Sequence, residues 1–151
     1  MAADTTGLTE NLAQVVTDFH ELPASERLNL LLEFSTDLPD LPPQYADHPE
    51  LLEPVPECQS PIFLVVEVEG QGPQAPVSLF FSAPREAPTT RGFAGILHEG
   101  LNGATAEQIL DTPNDIPGRL ALTELVSPLR LRGMAGMLAR IKRQTKDKAA
   151  L

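Results

Sequence analysis

Cys58 is the single cysteine of the 151-residue chain, and its type and setting make it the first candidate for covalent chemistry. One thiol cannot form an internal disulfide, and it cannot by itself build a zinc or iron–sulfur site of the multi-cysteine kind. Two roles remain: inert packing, or a reactive thiol that works as its thiolate. The immediate neighbours are acidic, with Glu57 next door and Glu53 nearby, and negative charge disfavours the thiolate. No basic residue is close in sequence, so activation has to come from distant residues such as Arg91 or Arg130, or from a partner. A cysteine hydrolase would need a base beside its thiol. The histidines are His20, His48 and His98. His48 is the one that could fold back on Cys58, although a loop histidine is more often simply solvated. No HExxH, CxxC, Walker A or GxGxxG pattern is present, so no motif supports a zinc peptidase, a dithiol redox centre or a phosphate cradle. The glycines of Gly70-Gln71-Gly72 read as a hairpin turn.

The elements that must hold Cys58 follow from periodicity. Leu12, Val15, Val16 and Phe19 fall on one helical stripe, and Leu22-Pro23 ends that helix. Ser25 reads as the N-cap of a second helix, with Leu28, Leu31, Leu32 and Ser35 on one face and Glu26, Glu33 and Asp37 on the other. Pro39 stops it, because proline disfavours helix at the residue before it. Residues 39–61 are rich in proline and acid and read as a long ordered loop or linker, a kind of segment that is usually functional or disordered. Cys58 lies at its end, mounted where a strand begins. That strand places Ile62, Leu64, Val66 and Val68 on one face and Phe63 and Val65 on the other. Residues 77–81 form a second strand, giving a β-hairpin. Thr89 or Thr90 reads as the cap of a helix carrying Phe93, Ile96 and Leu97, stopped at Gly103. Thr105 to Gln108 has the form of a capping box. Met134, Met137, Leu138 and Ile141 stripe a last long helix, whose final turns carry Arg140, Lys142, Arg143, Lys146 and Lys148 in favourable relation to the helix dipole. The fold class is α+β: a small antiparallel β-sheet with helices packed on one face, in one domain over 1–151 with the last few residues frayed.

The net charge is −10, which argues against a nucleic-acid binder. The charge is segregated: residues 1–70 carry 14 acids and one base, whereas residues 130–148 carry seven bases and one acid. Such runs are ordinarily solvated helix faces; an acidic surface that docks on a basic partner is the sharper reading. No stretch approaches the roughly 18–20 apolar residues of a membrane helix, and the N-terminus lacks the features of a secretory signal. A cytoplasmic protein is expected.

The Glu57-Cys58-Gln59-Ser60 segment before an apolar strand resembles the Gly-Cys-Gln-Ser segment of the SufE family. Leu38-Pro39-Asp40-Leu41-Pro42 is similar to that family's Leu-Pro-x-Leu. Arg91-Gly92-Phe93 and the stretch from Asn102 to Ile109 resemble its basic-Gly-apolar helix and the capped turn that follows. Ser127-Pro128-Leu129-Arg130, with Gly133-Met134 and Met137, resembles the opening of its last helix. The match covers roughly residues 20–145 in order. Three positions depart from the pattern: Glu57 stands where Gly is usual, Glu86 where Asp is usual, and Leu129 where Ser is usual.

The resemblance implies a fold like that of iron–sulfur scaffold proteins, with the cysteine loop tucked against the domain and opening on a partner. It implies that Cys58 accepts sulfur as a persulfide from a cysteine desulfurase of the SufS type, raises that enzyme's turnover, and delivers the sulfur to a downstream iron–sulfur scaffold complex. Glu86, Arg91 and Arg130 are implied as conformational or docking residues. The chain would need no cofactor or metal of its own, because the pyridoxal phosphate belongs to the desulfurase. It would be a persulfide-carrying partner rather than a stand-alone enzyme, with no nucleic acid or membrane among its partners; a homodimer stays open. Two alternatives stand beside this reading: a non-catalytic adaptor that regulates a desulfurase by docking, and a Cys58–His48 hydrolase.

Overall fold

The computed structural model describes residues 3–151. Two amphipathic helices come first, α1 (Glu10–Glu21) and α2 (Ala24–Asp37). The α1 stripe is buried as its spacing demands, with Leu12, Val15, Val16 and Phe19 all inside. Thr9 caps α1, accepting from the Leu12 N–H. In α2 the face is narrower than its leucines suggest. Leu31 and Ser35 are buried, while Leu28 and Leu32 stand 40% and 42% exposed. Pro23, not Ser25, occupies the N-cap, and Ser25 falls inside the helix. No side chain caps this helix; the Glu26 N–H bonds the Pro23 carbonyl at 2.9 Å.

Residues 39–61 are ordered rather than a linker. They contain the short helix α3 (Pro43–Ala46), a 3₁₀ turn at Pro49–Leu51, the two-residue strand β1 (Glu53–Pro54) and a second 3₁₀ turn at Pro56–Cys58. The hairpin of β2 (Phe63–Val68) and β3 (Val77–Ser82) is present, but β1 joins it, so the antiparallel sheet has three strands in the order β1-β2-β3. The register pairs Glu53 with Leu64 and Pro54 with Phe63 on one side of β2, and Leu64 with Phe81 and Val66 with Leu79 on the other.

The chain continues through α4 (Pro88–Leu101), α5 (Ala106–Asp111), α6 (Ile116–Arg119) and α7 (Pro128–Lys148). Ala87 precedes α4 as its N-cap, so Thr89 and Thr90 lie in the first turn rather than capping it. The Thr105–Gln108 capping box forms in both directions, and Ser127 caps α7 through the Arg130 N–H.

The fold is α+β. Leu64, Val66, Val77, Leu79 and Phe81 meet α1, α4 and α7 in the main core. The opposite face is covered too: Phe63, Val65 and Phe80 pack with Tyr45, Leu52 and Leu41 of the proline-rich segment. Because β1 is so short, the edge of β2 beyond it is open, and α7 closes it with side chains. Gln144 accepts from the Val66 N–H at 2.8 Å, and Lys148 donates to the Val66 carbonyl at 2.6 Å, which satisfies backbone groups that would otherwise be orphaned. The end of the chain, where the sequence suggests fraying, is tied in: Ala149 is buried and its carbonyl accepts from the Gly72 N–H at 2.8 Å. Among the described residues no helix is long and apolar enough to cross a membrane.

Candidate functional site

Cys58 lies in the connection between β1 and β2. The Val55 N–H bonds the Ile62 carbonyl at 2.9 Å, closing the neck of a loop whose tip is the Pro56–Cys58 turn. Pro56 starts this turn, the Cys58 N–H bonds the Val55 carbonyl at 3.1 Å, and Gln59 ends it in the left-handed region at φ 59°. The loop folds back on α7, where two glycines make room for it. A Cβ on Gly133 would stand 3.0 Å from Cys58 Sγ and 3.2 Å from its Cα, and one on Gly136 would stand 2.9 Å from the Glu57 carboxylate. A larger residue at Gly133 would press on the cysteine turn, and one at Gly136 would displace the Glu57 carboxylate. Cys58 is thereby left only 8% exposed, with Sγ 3.5 Å from the Gly133 carbonyl.

The acids beside the thiol are neutralised from across the fold. Arg140 Nη1 donates to Glu57 Oε2 at 2.8 Å and to the Gly136 carbonyl at 3.1 Å. Arg143 pairs with the Glu53 carboxylate, and Gln144 donates to Glu53 Oε1 at 2.9 Å. The hydrogen bond from Arg140 holds the Glu57 carboxyl below its ordinary range. Burial opposes ionisation of Glu53, but its bonds from Gln144 and Arg143 outweigh that and lower its pKa as well. For Cys58 the balance goes the other way: burial first, then the charge of Glu57, push the thiol up to about 11, with Arg140 pulling it down. In this conformation Cys58 is a protonated, protected thiol.

One side of Cys58 borders a cleft of about 620 Å³, lined by Gln59 and Ser60, by residues 86–90 at the start of α4, and by Ser127, Leu129 and Arg130 at the start of α7. Of the residues singled out in the sequence, Glu86 and Arg130 are exposed on its rim. Arg130 Nη1 lies 3.3 Å from Thr89 Oγ1, so it links the two helix starts. Leu129 is an exposed apolar side chain on the same rim.

Arg91 is elsewhere. It is 5% exposed, and its guanidinium donates to the carbonyls of Ser35 at 2.8 Å, Ala83 at 2.6 Å and Leu38 at 3.1 Å. It staples the end of α2 and the exit of β3 to α4. His48 is exposed, lies 3.0 Å from Glu50 Oε1 and does not line the cleft. The Cys58–His48 pair that a hydrolase of that kind would use is therefore not formed. Among the described residues no group of three or more potential metal ligands occurs.

Sequence reasoning named Gly133, Arg140 and Arg143 without giving them a part in the site, and it missed Gly136. The basic run on α7 reads as a solvated face, and its partners Glu53 and Glu57 are more than eighty residues away in the chain. The glycines did carry a signal: glycine in a helix interior is disfavoured by about 1 kcal/mol against alanine, so a pair there points to a close approach.

The family model described as SufE, Fe-S metabolism associated domain, matches residues 13–145. A SufE-like protein of Mycobacterium tuberculosis is 54% identical over 136 residues, covering 90% of this chain and 92% of its own. A SufE-like protein of Rhizobium etli is 30% identical over 143 residues, covering 93% of each chain. The solution structure of a hypothetical protein from Thermus thermophilus superposes with a TM-score of 0.82 at 37% identity, covering 95% of this chain and 99% of that one.

Proposed function

Since the chain belongs to the SufE family, associated with Fe–S metabolism, we propose that it is a sulfur carrier whose acceptor is Cys58. The observation that carries this reading is the mounting of the chain's one thiol. It sits on a turn at the end of a hairpin loop, shielded on α7 and next to an open cleft. A group that must meet a partner without reacting in the meantime suits such a mount.

In the proposed reaction a cysteine desulfurase of the SufS type presents a cysteine persulfide. The Cys58 thiol gives up its proton and its thiolate attacks the outer sulfur. A new S–S bond forms on Cys58, the S–S bond on the desulfurase breaks, and the desulfurase cysteine leaves as a thiolate, which takes up a proton. This is the balance of thiol–disulfide exchange, with a rate set by thiolate fraction and access. Because burial and Glu57 suppress the thiolate at rest, the loop has to lift from α7 for transfer. Solvation then returns the thiol toward its ordinary pKa. Glu86, Leu129 and Arg130, on the rim of the cleft, form the surface that meets the desulfurase, and Arg91 fixes the scaffold behind it. The pyridoxal phosphate stays with the desulfurase, and the sulfur passes on to an iron–sulfur scaffold complex. A free-thiol carrier of this kind suits a reducing compartment such as the cytoplasm.

The burial of Cys58 favours one second reading, an adaptor that stimulates a desulfurase by docking alone. Intact mass after incubation with a desulfurase and L-cysteine separates the two. A carrier gains about 32 Da, one sulfur, which reductant removes and Cys58→Ser abolishes. An adaptor gains nothing, and Cys58→Ser leaves the stimulation in place.

A further inference from the structure

The loop that carries Cys58 is held at two places, and the two differ in kind. At its base, Glu53 is bound by Arg143 and Gln144, has Arg140 Nε at 3.5 Å as a further ion-pair contact, and pairs in the sheet with Leu64. At its tip, the bonds of the turn are local. The Cys58 and Gln59 amides bond Val55 and Pro56, so these bonds travel with the turn if it moves. What ties the tip to α7 is the seating of Cys58 over Gly133, a long contact from Sγ to the Gly133 carbonyl at 3.5 Å, and the Glu57–Arg140 ion pair at 2.8 Å. Glu57 directly precedes Cys58, so a displacement of one moves the other. The side chains of Arg140 and Glu57 are 20% and 41% exposed, which leaves the pair within reach of solvent and of a docking protein.

We propose that the Glu57–Arg140 pair is a latch that holds Cys58 seated on α7, which makes Glu57 and Arg140 positioning residues that set how often the thiol is presented. The proposal rests on Cys58 being the group a partner must reach. The base of the hairpin stays clamped through Glu53, and only the tip swings, about Val55 at one end and Gln59 at the other. A partner opens the latch by offering a carboxylate to Arg140 or a cation to Glu57, so that the exchange replaces one ion pair by another rather than leaving a charge unpaired.

Glu57→Gln and Arg140→Gln test this in the whole protein. Each removes one charge from a partly exposed, charge-assisted pair, and iodoacetamide should then label Cys58 about three to ten times faster than in the parent. The double variant should label no faster than Arg140→Gln alone, because Arg140→Gln already deletes the Glu57 pair, together with the longer contact from Arg140 to Glu53. Salt at about 0.5 M should speed labelling of the parent and leave Glu57→Gln unmoved. Removing Glu57 also eases ionisation of the thiol, so amide exchange over residues 55–62 is the deciding readout. It should rise by the same factor while exchange in α4 and α7 stays constant. Faster labelling without faster exchange means altered thiol acidity alone and overturns the latch, as does no change in either. Sulfur loading of the parent by a desulfurase reports separately. A parent that never gains sulfur, while Glu57→Gln still frees the loop, sinks the carrier reading and leaves the latch standing.

Discussion

Replacing Gly133 by alanine adds one methyl group where the cysteine turn rests. That methyl carbon would stand 3.0 Å from Cys58 Sγ and 3.2 Å from Cys58 Cα, against an ordinary separation of about 3.5–4.0 Å. A side-chain rotation relieves the first contact but not the second, because Cα is backbone. The turn itself has to back away from α7. Overpacking of this kind costs about 1–3 kcal/mol. Alanine is also favoured over glycine in a helix interior by about 1 kcal/mol. The two terms act on different equilibria. The helix preference applies whether the turn is seated or lifted, so it cancels between those states, whereas the clash exists only in the seated one. The ratio of lifted to seated turn should therefore rise by a factor of about 5 to 150. Global stability should change by much less, about 0 to 2 kcal/mol lower, since helix preference offsets part of the clash. The assay is the rate of Cys58 alkylation followed by intact mass, paired with a thermal melt by circular dichroism. Alkylation at least fivefold faster with a nearly unchanged melt is the expected pair of results. An unchanged alkylation rate in a folded Gly133→Ala protein would refute the seating of Cys58 on Gly133.

Arg91→Ala removes a buried guanidinium from three carbonyls and should lower unfolding stability by about 3 kcal/mol, read by urea denaturation; a loss under about 0.5 kcal/mol would refute its role as a staple. The raised pKa of Cys58, from the usual 9.0 to about 11, has a definite sign. Above the ordinary value the unfolded chain has lost the thiol proton and the folded chain has kept it. Stability contributed by the seated thiol is thus present below about pH 9, falls as pH rises toward about 11, and levels off beyond. The parent should lose more stability than Cys58→Ser over that window in parallel denaturation curves, and equal losses would mean that the thiol is not shielded.

Much of the scaffold was legible because it rests on local physics. The α1 stripe, the β2–β3 hairpin, the Thr105 capping box and the α7 stripe each follow from side-chain period or from a cap within a few residues. Local signals misled where two residue types could serve one purpose. Pro23 and Ala87 start the helices assigned to Ser25 and to Thr89 or Thr90, since a helix start needs suitable backbone geometry more than one particular side chain. Leu28 and Leu32 share the helical face of Leu31 by spacing, yet of these only Leu31, with Ser35, is buried. The proline-rich segment reads in sequence as a loop or linker because β1 is two residues long, too short to show any alternation.

For the candidate site, the sequence by itself determined that Cys58 is the chain's one thiol. With one cysteine in the chain, no other thiol can take its place, and the residues around it carry the family resemblance. What only the tertiary structure decided is the state of that thiol. Glu57 beside Cys58 reads in sequence as an uncompensated charge, but Arg140 meets it from across more than eighty residues of chain, and Gly133 and Gly136 make the seat. Burial and charge pairing of this kind depend on which segments the fold brings within a few ångströms of one another. Distances of that sort are set by the packing of α7 against the hairpin, and no spacing along the chain encodes them.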